Sequence, residues 1–117
     1  MTFDDNKPIA RQIVEYCWLQ ILSGKWAPES RIPSTKDLAV NLGVNPRTVM
    51  KAYDELAEEE IIFQRRGMGY YTNADAPARI MEKRRNNFVN ETVPAFRKLM
   101  EELRFTPEEI LELLKNR

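Results

Sequence analysis

A mainly α-helical fold with one small β-hairpin follows from three stretches of the sequence. Residues 34–56 hold two short amphipathic segments separated by a glycine turn, each preceded by a capping residue. Residues 61–73 hold two β-prone runs around the basic turn Arg65-Arg66-Gly67-Met68-Gly69. Residues 78–114 carry apolar residues at helical spacing, interrupted at Pro94 and Pro107. In that order they describe a winged helix-turn-helix over residues 1–74, followed by two C-terminal helices within 75–117.

Residues 1–7 are polar and predicted to be loose, with Phe3 free to pack. From Pro8 the residues Ile9, Ile13, Cys17 and Ile21, flanked by Val14, Trp18 and Leu22, form a wide apolar stripe ending at Gly24. This helix should roof a core completed by Trp26, Ile32, Leu38, Leu42, Val49, Tyr53 and Leu56. Cys17 lies in phase with the stripe, so it reads as a small core residue before it reads as a redox sensor. Trp18 and Trp26 read as packing anchors, and Arg31-Ile32 as a short strand against the hairpin.

Ser34 is a strong N-cap with Asp37 three residues on. Leu38, Ala39 and Leu42 share one helical face, and Gly43 stands where a left-handed C-terminal residue is wanted. Asn45 can cap the next helix, and Pro46 takes its first position, where a missing N–H costs nothing. That second helix, at about 45–59, has two faces. Val49, Ala52, Tyr53 and Leu56 point inward, while Arg47, Thr48 and Lys51 lie away from them near the N-terminus. Arg47 suits a guanine edge or a phosphate, Thr48 either, and Lys51 a phosphate. The free N–H groups and positive dipole end add to the attraction for an anion. Surface Arg and Lys are more often simply solvated; the segment that follows decides between the readings.

Ile61-Ile62-Phe63 and Tyr70-Tyr71-Thr72 read as strands, and the glycines between them are free to take positive φ. A hairpin bearing Arg65, Arg66 and Gly67 directly after such a helix suits a wing that holds phosphate or enters a minor groove. Charges that merely guard a sheet edge are the plainer alternative. The order helix, turn, helix, basic hairpin favours the wing.

Asn73 to Pro77 marks a boundary. Beyond it Val89, Val93, Phe96, Met100 and Leu103 are spaced four, three, four and three, a heptad seam widened by Ile80, Met81, Phe88 and Leu99. Pro94 should kink or split this helix near Glu91-Thr92. A last helix restarts at Thr106, with Glu109 completing a capping box, Pro107 in the first turn and Phe105 placed to staple to Ile110. Leu111, Leu113 and Leu114 continue its apolar face. Two helices cannot bury this seam alone, so a second copy of the chain is the expected partner.

The run Ile21-Leu22-Ser23-Gly24-Lys25, Ile32-Pro33-Ser34, Leu38-Ala39, Leu42-Gly43-Val44-Asn45-Pro46, Thr48-Val49, Ala52-Tyr53, Leu56 and Gly67-Met68-Gly69 closely resembles the winged-helix domain of the GntR family of bacterial transcriptional regulators. The resemblance covers residues 8–73. It implies a cytoplasmic regulator whose DNA contacts come from Ser34, Lys36, Asn45, Arg47, Thr48, Lys51, Arg65, Arg66 and Gly67. Glu29 and Glu60 stand where such domains commonly have glycine, which bears on local turn geometry. Lys36 replaces a common DNA-contacting arginine, implying a point charge in place of a fork. The tail resembles the short YtrA-like subclass, whose two C-terminal helices dimerise.

Charge and composition narrow the function further. Eighteen basic and eighteen acidic residues cancel, so distribution matters more than the sum. Basic residues cluster at Arg31–Lys51 and Gln64–Arg85, and the acids gather in Asp54-Glu55 and Glu58-Glu59-Glu60. Arg79, Lys83, Arg84 and Arg85 read as a solvated basic face. With one cysteine and no histidine, zinc sites are not expected, and no cofactor is implied. No inward-facing carboxylate pair suggests an enzyme. A tail of two helices cannot wall a metabolite pocket, which takes roughly several hundred Å³, so no small-molecule effector is assigned. There is no membrane-spanning apolar run and no signal-peptide pattern. The alternative, a winged helix used to bind protein, would want exposed apolar residues on the recognition face, where only Met50 and Met68 qualify.

Overall fold

The computed structural model describes residues 2–116, in two compact units divided between Met81 and Glu82. In the first unit α1 (Ile9–Leu22), α2 (Thr35–Leu42) and α3 (Pro46–Glu58) precede an antiparallel hairpin of β1 (Ile62–Arg65) and β2 (Gly69–Thr72). The register sets Phe63 opposite Tyr71 and Arg65 opposite Gly69. Arg31 bridges to Tyr71 on the other edge of β2, an isolated bridge where the sequence predicts a short strand over Arg31-Ile32.

One core joins these elements. Ile13, Cys17, Trp18 and Ile21 are buried with Leu38 and Ala39 of α2 and with Val49, Ala52, Tyr53 and Leu56 of α3. Trp26 and Leu42, expected in this core, are half-buried against it. Burial pushes the Cys17 thiol up from its usual value, so it stays protonated and packs as a small apolar group. The helix α4 (Ala76–Asn87) starts earlier than predicted, inside the expected boundary loop, with Pro77 in its first turn. Ile80, expected with Met81 to widen the tail seam, is instead fully buried in this core. Its i, i+4 spacing from buried Ala76 turns both residues to the same side of α4.

The N-terminal segment also departs from expectation. It is not loose, because Gln12 is buried and its amide fastens the backbone preceding α1. Nε2 donates to Asp4 O at 2.7 Å and Lys7 O at 3.0 Å, and Oε1 accepts from Asp4 N at 2.7 Å. Phe3 packs against the core, as expected.

Four helices, α1, α2, α3 and one of the second unit described below, are followed by a left-handed residue whose N–H closes back on the last turn. After α2 the residue is Gly43, with φ 68°. After α3 it is Glu60, with φ 60°: its N–H reaches Ala57 O, and Ile61 N–H reaches Leu56 O. Ile61 and Leu56 are both buried, which is the apolar contact such an end favours. The carbonyl of Glu60 is held by the side-chain amide of Asn73. Glu29 also sits at positive φ, 58°. The two glutamates therefore keep the geometry for which glycine is the unstrained residue, at a cost of about 1–2 kcal/mol each. Glu29 has no ion pair among the described residues, so Glu29→Gly should raise stability by roughly 0.5–1 kcal/mol after the added freedom of the unfolded chain is deducted. Urea unfolding measures this, and a variant no more stable than its parent contradicts it.

In the second unit α4 runs into a π-helical turn, Phe88–Thr92, and then α5 (Val93–Glu102). The interruption predicted near Glu91-Thr92 thus takes the form of a widened turn. Val93 N–H bonds Phe88 O, and Pro94, which cannot donate, falls in the first turn of α5. Arg104, with φ 62°, ends α5, and α6 (Pro107–Lys115) starts at the predicted capping box. Thr106 Oγ1 accepts from Glu109 N at 3.1 Å, and Glu109 Oε1 accepts from Thr106 N at 3.0 Å. No residue between 82 and 116 is buried.

Candidate nucleic-acid interface

The helix-turn-helix is positioned from inside by Tyr53. Its ring is fully buried and meets Tyr70 of β2 edge-on at 5.0 Å, while its hydroxyl donates to Pro33 O at 2.7 Å. One side chain thus ties α3 to the wing and to the segment that feeds α2.

The capping residues are placed as expected, with part of their bonding capacity already committed. Ser34 Oγ accepts from Asp37 N at 3.1 Å, and Asn45 Oδ1 accepts from Arg47 N at 2.9 Å. What each retains for a ligand is a donor: the Ser34 hydroxyl proton and the Asn45 amide. On α3, Arg47, Met50 and Lys51 are exposed and Thr48 is half-buried, opposite the buried Val49, Ala52, Tyr53 and Leu56. Lys36 is exposed in the first turn of α2.

Charge pairing separates the candidate residues from other cations of this unit. Arg79 pairs with Asp75 at 2.8 Å and Glu60 at 3.3 Å, and Arg11 approaches Glu55 at 4.0 Å. Arg31, Lys36, Arg47, Lys51, Arg65 and Arg66 have no carboxylate partner among the described residues. Glu55 of α3 and Glu60 just beyond it are thus engaged by Arg11 and Arg79, not by the candidate cations.

On the wing, Arg65 differs from its predicted place. It is the last residue of β1, not part of the turn, because its Cα pairs with Gly69. Its guanidinium lies 4.6 Å over the Tyr71 ring and 5.6 Å from that of Phe63, and those two rings stack at 5.9 Å. Arg66, Gly67 and Met68 form the exposed tip, with Gly67 at φ 75°. The sequence places Arg31, Phe63 and Tyr71 on β-prone segments but assigns none of them to the interface. Alternation along the two strands, once the register is known, puts all three on the face that carries Arg65.

Comparisons with known proteins agree with this architecture. Residues 9–71 match the family described as bacterial regulatory proteins, gntR family. The chain belongs to the GntR family. It is 32% identical to the HTH-type transcriptional regulator YhcF of Bacillus subtilis, over 97% of this chain and 92% of that protein. It is 39% identical to the HTH-type transcriptional repressor YtrA of Bacillus subtilis, over 66% of this chain and 59% of that one. A GntR family transcriptional regulator from Listeria monocytogenes superposes with a TM-score of 0.78 at 36% identity, over 98% of this chain and 99% of that structure. The DNA-binding domain of AraR in complex with operator ORX1 superposes with a TM-score of 0.55 at 25% identity, over 62% of this chain and 88% of that domain. This GntR chain is a DNA-binding transcriptional regulator with a winged helix-turn-helix, not an enzyme. Among its described residues no helix is long and apolar enough to cross a membrane.

Proposed function

We propose that this regulator represses transcription from the cytoplasm by binding a palindromic operator as a homodimer. Residues 1–74 hold the DNA and residues 75–117 join the two copies. The observation that carries the reading is the division of α3 into a buried face and an exposed N-terminal face with Arg47 and Lys51 unpaired. An α-helix with free cations at its positive dipole end suits a major groove lined by phosphates. Arg47 and Thr48 read base edges, Lys51 and Lys36 hold phosphate, and Ser34 and Asn45 offer their remaining donors to the backbone. Arg65, Arg66 and Gly67 of the wing take the flanking phosphates. The repressor named among the relatives and the AraR–operator complex support the DNA-binding part.

The homodimer rests on the tail. Val89, Phe96 and Leu103 are exposed, Val93 and Met100 are half-buried, and no described residue of the second unit is buried. Apolar surface at heptad spacing on a unit without a core of its own suits a self-complementary twofold contact. Half-sites are then expected about one helical turn, or a multiple of it, apart.

Arg47→Ala tests the recognition helix. Loss of a bidentate base contact should weaken binding to a selected operator by about 1–3 kcal/mol and relax preference at one base position. Competition binding across single-base variants reads both effects. An equal loss on every sequence would move Arg47 to the backbone, and undiminished binding would remove it from the interface.

A further inference from the structure

The outer face of the wing holds a second arrangement, built around the absence of a side chain at Gly69. Arg31, Tyr71 and Phe63 lie in one row, Arg31 through an isolated bridge to the two-stranded hairpin, and Gly69 and Arg65 form the next row toward the tip. Arg31 reaches from its own row into the next. A Cβ at Gly69 would stand 3.1 Å from Arg31 Nε and 3.4 Å from Nη2, tighter than such contacts normally are. Gly69 is thus the slot across which the Arg31 guanidinium lies. Arg65 leans the opposite way, its guanidinium over Tyr71 and its flank toward Phe63.

Two guanidinium groups are therefore carried on one face of a short hairpin, each laid against the partner row. Like charges so placed repel, and neither has a carboxylate to relieve the repulsion among the described residues. The rings under Arg65 limit its rotamers without neutralising it, since a cation over a π-face keeps its charge and its N–H donors. An arrangement that holds two forked donors still and leaves them uncompensated is suited to an extended polyanion.

We infer that Arg31 and Arg65 form a paired clamp for the phosphate backbone of duplex DNA on the outer face of the wing. Gly69 is the slot that admits Arg31, and Phe63 and Tyr71 are the platform that positions Arg65. This rests on the operator-binding reading above and adds to it a contact, Arg31, that precedes α2 in the chain and belongs to the wing in space. Arg31 is exposed, so replacing it leaves the core untouched.

The test uses the full chain and duplexes that the unaltered protein selects from a random-sequence pool, with affinity followed against salt. Arg31→Gln should lower the slope of log affinity against log salt by about 0.9, one released counterion, and weaken selected and scrambled duplexes by the same factor. Arg31→Lys keeps the charge and should restore the slope. Tyr71→Leu keeps every charge and should weaken binding when Arg65 is present, yet have no effect in an Arg65→Gln background. A merely structural role for Tyr71 would weaken binding equally in both backgrounds and would overturn the platform. An unchanged slope for Arg31→Gln, or a loss confined to particular sequences, would overturn the backbone clamp while leaving operator binding intact. Selection of no duplex by the unaltered protein would overturn operator binding itself, and the clamp with it.

Discussion

Replacing Tyr53 by alanine should cost the winged-helix unit about 3–5 kcal/mol, a large part of the roughly 5–15 kcal/mol that holds a small domain folded. The ring is fully buried, so its removal leaves a cavity among α1, α3 and β2, and the edge-on contact with Tyr70 is lost. The Pro33 carbonyl loses its hydroxyl donor as well. Tyr53→Phe isolates that last effect, since it keeps the ring and should cost about 0.5–1.5 kcal/mol. Urea unfolding of both variants separates the two contributions. A Tyr53→Ala variant within 1 kcal/mol or so of the parent would mean that α3 is not anchored through this residue.

The same burial makes stability sensitive to alkali. Burial, then the proximity of Cys17, Tyr70 and Tyr16, pushes the Tyr53 phenol above its usual value of 10.0, and burial raises the Cys17 thiol above 9.0. The folded state holds both protonated where the unfolded chain would release their protons. Their contribution is therefore complete below about pH 9 and is lost progressively as pH rises past the ordinary thiol and phenol values. The urea midpoint should be flat with respect to these groups near neutrality and fall above that range. Tyr53→Phe should fall less steeply than the parent above pH 10, where only the parent's unfolded state gains a phenolate. Equal slopes would show that Tyr53 titrates alike in both states.

Why some of this was legible in the sequence and some was not can be argued from particular residues. Ser34, Gly43, Asn45 and the Thr106–Glu109 box act through neighbours within a few positions, so chain order alone reveals them. The four inward positions of α3 were equally plain, because helical spacing fixes which residues share a face. Gln12 was not, since nothing local says that one amide will close on Asp4 and Lys7. Ile80 was misplaced because an apolar residue in a continuous helical pattern carries no mark of which unit it will join. Arg65, Phe63, Tyr71 and Arg31 come together only through strand register, a long-range property that the hairpin residues suggest without stating. Glu29 and Glu60 show the converse case: the backbone geometry persists although the residue type that advertises it is missing.

Phe96→Glu is expected to have the larger functional effect, because it acts on every half-site at once. Phe96 is 50% exposed in the single chain, so the substitution removes little of the unit's own packing. In a twofold contact along Val89, Val93, Phe96, Met100 and Leu103 it would place two unpaired carboxylates in a desolvated seam, a cost that such interfaces do not withstand. The expected product is a folded monomer by sedimentation, with an unchanged melting transition for the winged-helix unit. Its affinity for one half-site should match that of the parent's individual domain. Its affinity for the full palindrome should fall by about 10²–10⁴-fold, because the second half-site is no longer held at high effective concentration. The salt dependence per half-site should stay as it was, which distinguishes loss of coupling from loss of DNA contacts. A variant that still sediments as a dimer would place the contact elsewhere, with Leu111, Leu113 and Leu114 of α6 as the next surface to alter. A parent that is itself monomeric would remove the twofold model, and the palindrome with it.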